Sequence, residues 1–340
     1  SCRPSLIRLC YPGRFIIGML RMTNVIDADV LYAPSDMGLR HLPEGPIGYG
    51  NGFSWVGIQH GNDSLHGSLN LFDLKSGGNR SIRLPGRPGF AFPTADPDWF
   101  IAGIEKHVHL FQVSTGRCET VSDEIDQDVE NTLINDGIPF ADGIVFGAKD
   151  LEFQTEKAGL YLWRLDQSLV RLRDDQICSN GKVIIPDGDQ WQMLDIDSPT
   201  QQVVRYRLDA SNGTLSDAEV VLDLTGESIF PDGMVATPDG KSVIIAFYNP
   251  NAAAYGVARQ FDLESRSIVC EWRTAAAPRV TCPLLLEVEG GVKLVLTTAT
   301  EGMEGEMFSQ HENSGCLFIG NTEFENAVND HRLDVQALVG

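Results

Sequence analysis

The chain has 340 residues and a mass of 37.3 kDa. Hydrophobic residues make up 42% and charged residues 21%, a globular composition that excludes disorder over most of the length. Against 26 Lys and Arg stand 47 Asp and Glu, a formal net charge of −21. The basic footprint of a nucleic-acid binder is therefore missing, whereas an acidic surface suits the attraction of cations.

Cysteines stand at positions 2, 10, 118, 178, 270, 282 and 316, with no CxxC and no Cys/His cluster at zinc spacing. The odd number and wide spacing fit reduced thiols, and a cytoplasmic location is expected. No run approaches the roughly 18 apolar residues that span a bilayer, so no membrane partner is expected. The first 21 residues carry Arg3, Arg8, Arg14 and Arg21 and no acid. They read as an N-terminal extension ahead of a natural start at Met22, with a weak signal or transit-like segment as the alternative. Residues 22–340 are expected to form a single domain.

Along that domain short apolar runs alternate with Gly, Pro, Asp and Asn, and no long stretch holds a helical period. The expected strands are FSWVGI (53–58), WFIAGI (99–104), GIVFGA (143–148), WQMLDI (191–196), SVIIAFY (242–248) and VKLVLTT (292–298). Each is followed by an aromatic, a variable residue, an aliphatic and a turn: Phe72-Asp73-Leu74, Phe111-Gln112-Val113, Trp163-Arg164-Leu165, Tyr206-Arg207-Leu208, Phe261-Asp262-Leu263 and the degenerate Phe318-Ile319-Gly320. The aromatic positions lie 39 to 57 residues apart. A repeat of that length holding several strands is the signature of propeller blades, and six copies predict an all-β, six-bladed β-propeller. A pair of two-layer sandwiches is the alternative.

In a propeller the first strands of the blades converge on one axis, so polar residues far apart in sequence can meet at its mouth. Four segments pair an oxygen-bearing side chain with a following Gly: Glu44-Gly45-Pro46, Asn135-Asp136-Gly137, Ser179-Asn180-Gly181 and Pro231-Asp232-Gly233. Any Asn-Gly or Asp-Gly alone reads as a turn leading toward a strand. Glu44 has no such turn preference. Pro186-Asp187-Gly188 and Pro238-Asp239-Gly240 read as ordinary hairpin turns. His107 and His109 share a strand face with no third ligand in view. Asp123, Glu124, Asp126, Asp128 and Glu130 read as a solvated acidic loop.

The set EGP, NDG, CSNG and FPDGM, in that order, resembles the regucalcin/gluconolactonase/luciferin-regenerating-enzyme-like family of six-bladed propellers (the senescence-marker-protein type). ENTLINDG, DIDSPTQQVVRYRLDASNGTLSD, FPDGMVATPDGKSVIIAFYN and TTATEGM carry the likeness, which covers roughly residues 38 to 322 and is strongest in the second half. The resemblance implies one divalent cation (Ca, Mg, Mn or Zn) at the channel mouth, held by Glu44, Asn180 and Asp232. Two carboxylates and an amide oxygen make a hard donor set suited to such ions.

The resemblance further implies a metal-dependent lactonase, with a small-molecule lactone or ester as substrate, Asn135 and position 133 as substrate-binding residues, and Asp232 as catalytic residue. The sequence departs from the family at Leu133, where an Arg is usual, at Trp55-Val56-Gly57 and at Thr281-Cys282-Pro283. The Leu133 change points to a less polar lactone or ester than a sugar lactone. Hydrolysis of aryl esters or phosphotriesters on the same metal site, or calcium binding without catalysis, are the other readings.

Overall fold

The computed structural model describes residues 24–328 and 330–339, so the reading of residues 1–21 lies outside the described residues. The chain is built from antiparallel four-stranded meanders. The opening strand is β1 (Asn24–Tyr32), and the first meander is β2 (Pro43–Tyr49), β3 (Gly52–Gly57), β4 (Ser68–Asp73) and β5 (Gly78–Arg83). The second is β6 (Pro88–Pro93), β7 (Trp99–Ile104), β8 (His107–Gln112) and β9 (Cys118–Thr120). Next come β10 (Thr132–Phe140), β11 (Gly143–Asp150), β12 (Ala158–Trp163) and β13 (Leu169–Gln176), then β14 (Ser179–Asp187), β15 (Gln190–Asp197), β16 (Gln202–Asp209) and β17 (Thr214–Asp223). An eight-stranded sheet completes the chain. It joins β18 (Phe230–Ala236), β19 (Ser242–Tyr248), β20 (Tyr255–Asp262) and β21 (Ile268–Ala275) to β22 (Val280–Val288), β23 (Gly291–Thr298) and β24 (Leu317–Asn321). One short helix, α1 (Gly305–Gln310), lies between β23 and β24.

The join is made by β1. It pairs antiparallel with β24, with Val30 opposite Phe318, and parallel with β21, with Ile26 opposite Trp272. It thus supplies the outermost strand to the sheet of β22, β23 and β24. The first strands pack in a closed cycle: β2 on β6, β6 on β10, β10 on β14, β14 on β18, β18 on β22, and β22 back on β2. This is the arrangement of propeller blades around a shared axis, and no two-layer sandwich is formed.

Two expectations are sharpened. The apolar strands FSWVGI, WFIAGI, GIVFGA, WQMLDI, SVIIAFY and VKLVLTT are second strands, one step out from the axis, and their near-complete burial reflects packing on both faces. The aromatic of every repeat falls on a third strand, where Phe72, Phe111, Trp163, Tyr206, Phe261 and Phe318 all fill the layers between blades. Pro186-Asp187-Gly188 and Pro238-Asp239-Gly240 do form hairpin turns, with Gly188 and Gly240 at φ 67°.

Near the other end of the axis the C-terminal segment packs back onto the first blades. The Gly48 N–H donates to Asp330 Oδ2 at 3.2 Å, the Ala95 N–H donates to the Leu333 carbonyl at 2.9 Å, and Leu333 and Val335 are buried. Among the described residues, Cys118, Cys178, Cys270, Cys282 and Cys316 are all free thiols.

Candidate functional site

The polar segments singled out in the sequence lie inside the first strands, rather than in turns leading to them. Each first strand loses register at the same level: between Glu44 and Ile47, Pro88 and Phe90, Ile134 and Asp136, Asn180 and Lys182, Pro231 and Met234, and Val280 and Pro283. Such bulges re-aim side chains, and here they turn polar groups from separate blades toward one mouth of the axis. Gly45 takes φ 53° in the first of them, a left-handed conformation open to glycine at no steric cost. Gly181 serves closeness instead: a Cβ there would lie 2.6 Å from the Asp232 carbonyl oxygen and 2.6 Å from the Met234 nitrogen. The Asn-Gly pair therefore lets β14 and β18 touch beside the residues that carry the chemistry.

Glu44, Asn135, Asn180 and Asp232 line one cavity of about 410 Å³, together with Leu42, Lys149, Phe230, Tyr248 and Glu301. The amide of Asn135 donates to Asn180 Oδ1 at 2.9 Å and to the Ser179 carbonyl at 2.8 Å. Asn180 Nδ2 donates to Ser198 Oγ at 2.8 Å, and that hydroxyl donates to the Pro231 carbonyl at 2.6 Å. This chain fixes which end of Asn180 is oxygen and ties β10, β14 and the start of β18 together. Beneath it Lys182 Nζ donates to Ser179 Oγ at 2.7 Å and the Asn180 carbonyl at 2.6 Å, and lies 3.3 Å from Asp195 Oδ1.

Glu44 and Asp232 sit deep in the protein, their accessible atoms facing the cavity. Burial pushes the Glu44 carboxyl well above its ordinary value, and the charges of Asp232 and Asp136 push it the same way. Burial likewise lifts Asp232 well above its ordinary value, with Asp136 adding to the effect and Lys149 opposing it. Two carboxylates held against each other at depth, with an oriented amide oxygen alongside, are a donor set that a divalent cation fits. It would relieve the repulsion raising both carboxyls. Asp136 takes a different place. It lines a second cavity, also about 410 Å³, with Lys182, Trp191, Met234 and His331. Its carboxyl is raised by burial, with Lys182 opposing.

Leu133 is buried but does not line the cavity; its direct cross-strand partner Lys149 does. Lys149, Glu301 and Tyr248 were not singled out by the sequence reading. The one signal for Lys149 was a charged pair, Lys149-Asp150, ending the apolar strand GIVFGA. His107 and His109 lie near each other on β8, ring centroids 6.1 Å apart, and the nearer contact is His109 Nδ1 to the His107 carbonyl oxygen at 3.1 Å.

Residues 42–300 match the family described as the SMP-30/Gluconolactonase/LRE-like region. The chain is 28% identical over 269 residues to a Bacillus subtilis (strain 168) protein named "Putative sugar lactone lactonase YvrE", covering 77% of this chain and 86% of that one. It is similar in fold to the calcium-binding protein regucalcin of Agrobacterium tumefaciens str. C58, with a TM-score of 0.76, 19% identity, and 92% and 100% of the two chains covered. It is also similar to a luciferin-regenerating enzyme, with a TM-score of 0.73, 14% identity, and 90% and 99% covered.

Proposed function

Because the chain belongs to the SMP-30/gluconolactonase/LRE-like family, we propose that it is a single six-bladed propeller and a divalent-cation-dependent hydrolase of a lactone or related ester. The closed cycle of first strands supports the blade number, with the eight-stranded sheet counted as two blades sharing the β1–β21 contact. The observation that carries the activity is the convergence of Glu44, Asn180 and Asp232 from three blades on one cavity, with the Asn180 oxygen set by Asn135. The family likeness to a protein named as a sugar lactone lactonase gives the substrate class.

Glu44, Asn180 and Asp232 would hold the cation. When bound, it supplies a Lewis acid that polarises a carbonyl and stabilises the charge developing on its oxygen. Asp232 has a second task, because its deeply buried carboxylate is placed to accept a hydrogen bond from the attacking water and orient it. Leu42, Phe230, Tyr248 and Pro250 give the cavity an apolar wall against which a ring can lie. Asn135 acts through Asn180 as a positioning residue.

The test is acid release measured in a pH-stat over sugar lactones, aliphatic lactones and aryl esters. Chelator-stripped protein would receive Ca²⁺, Mg²⁺, Mn²⁺ or Zn²⁺, with Asp232→Asn as control. Cation-dependent hydrolysis lost in the variant is expected. Saturable cation binding with no turnover of any ester overturns the hydrolase reading.

A further inference from the structure

Two lysines are buried near the axis, and they are treated in opposite ways. Lys182 is 3% exposed and its ammonium is fully engaged by Ser179, Asn180 and Asp195. Lys149 is 6% exposed, yet among the described residues its Nζ has no hydrogen bond and no ion pair. Its recorded neighbour is the ring of Phe153, with Nζ 5.7 Å from the centroid. Its backbone is held on both sides, opposite Leu133 in β10 and bridged to Cys178 beyond β13, so the side chain cannot swing out to solvent by moving the strand. An ammonium buried without a partner is costly and calls for an acceptor that arrives with the ligand.

The surroundings say which part of the ligand that is. Lys149 is the cationic side chain among the described residues that line the cavity, whose other walls include Leu42, Phe153, Pro199, Phe230 and Pro250. It comes from β11, a second strand, whereas Glu44, Asn180 and Asp232 come from first strands nearer the axis. A carbonyl held at the carboxylate pair therefore leaves Lys149 facing the outward part of the same ring.

We propose that Lys149 is a specificity-determining residue whose ammonium donates to an oxygen substituent, hydroxyl or carboxylate, carried on the ring of the substrate. This rests on the hydrolase reading above and narrows its substrate class to oxygen-substituted lactones, against the less polar substrate that Leu133 suggests. No bond is made or broken at Lys149.

The experiment compares γ-butyrolactone, α-hydroxy-γ-butyrolactone and γ-butyrolactone-γ-carboxylate, with kcat and KM measured separately for the native protein, Lys149→Met and Lys149→Arg. The native protein is expected to favour at least one substituted lactone about tenfold or more, the worth of one charge-assisted hydrogen bond. Lys149→Met should erase that ratio mainly through KM, and Lys149→Arg should restore part of it. Which substituted lactone loses more separates hydroxyl from carboxylate. In parallel, calorimetry with tetrahydrofuran-2-carboxylate and tetrahydrofurfuryl alcohol reads binding without turnover. A protein that hydrolyses no lactone yet binds one of these about tenfold more weakly as Lys149→Met keeps the assignment of Lys149 while the hydrolase reading fails. Equal losses on all three lactones, no native preference, or a lowered melting temperature with unchanged ligand binding would each overturn it.

Discussion

Asn135 and Asn180 stand on neighbouring blades, and the amide nitrogen of the first donates to the amide oxygen of the second at 2.9 Å. The bond holds the Asn180 oxygen beside the two carboxylates without itself contributing a charge. Groups that orient a cation's ligands typically matter by about 10- to 100-fold in affinity. Asn135→Leu keeps the volume and removes the donor. Titration calorimetry with Ca²⁺ or Mn²⁺ should show affinity at least about tenfold weaker, with the melting temperature little changed. Unchanged affinity would remove Asn135 from the site.

Gly181 is the closest approach of β14 to β18, and a methyl group there meets backbone atoms that cannot step aside. Gly181→Ala should destabilise the fold by about 1–3 kcal/mol, the usual range for overpacking. Urea unfolding followed by tryptophan fluorescence reads this. A variant as stable as the native chain would show that the two blades have slack.

The acidic run at 123–130 is only partly the solvated loop that its composition suggests. Asp126 is 3% exposed, and Ile125 beside it is fully buried. The Tyr161 hydroxyl donates to Asp126 Oδ1 at 2.6 Å, and the Asp126 N–H donates back to that hydroxyl at 2.9 Å. Tyr161→Phe strips a buried carboxylate of its hydroxyl donor and should cost about 2 kcal/mol in the same unfolding assay. A cost below measurement would mean that the carboxylate finds another partner.

Asp150 closes the loop that carries Phe153 to the cavity rim. Burial opposes its ionisation, but the N–H groups of Glu152, Gln154 and Thr155 and the Lys157 ammonium, 3.0 Å away, outweigh that and bring its pKa from 3.8 to about 2. A carboxyl whose folded value is depressed adds stability above the unfolded value and loses it as pH falls toward the folded one. Asp150→Asn should therefore lower the melting temperature at pH 7, with the gap to the native protein narrowing from about pH 4 and closing near pH 2. A gap independent of pH would refute the charge-based account.

The blades were legible because their signal repeats. Any one aromatic copy is weak, but Phe72, Phe111, Trp163, Tyr206, Phe261 and Phe318 all landed on equivalent third strands. The polar residues Glu44, Asn135, Asn180 and Asp232 were legible because each breaks the apolar habit of a first strand next to a glycine. Their setting was misread as turns, since Asn-Gly and Asp-Gly serve turns and close strand contacts alike, and only the neighbouring blade decides which. Lys149 was invisible for a related reason. A lysine at the end of an apolar strand normally reaches water, and what buries this one is a loop and a blade remote from it in sequence.

The double pairing of β1 sets the order in which the molecule can be completed. Val30 finds Phe318 only after nearly the whole chain has been synthesised, so the ring stays open while the earlier blades already have their partners. Until then β1 exposes two unpaired edges, and β21 and β24 one each, with strand-forming sequence on all of them. Late closure of so distant a contact makes folding slow, and the open ring is the stage at which a second chain could insert its own first strand in place of the native one.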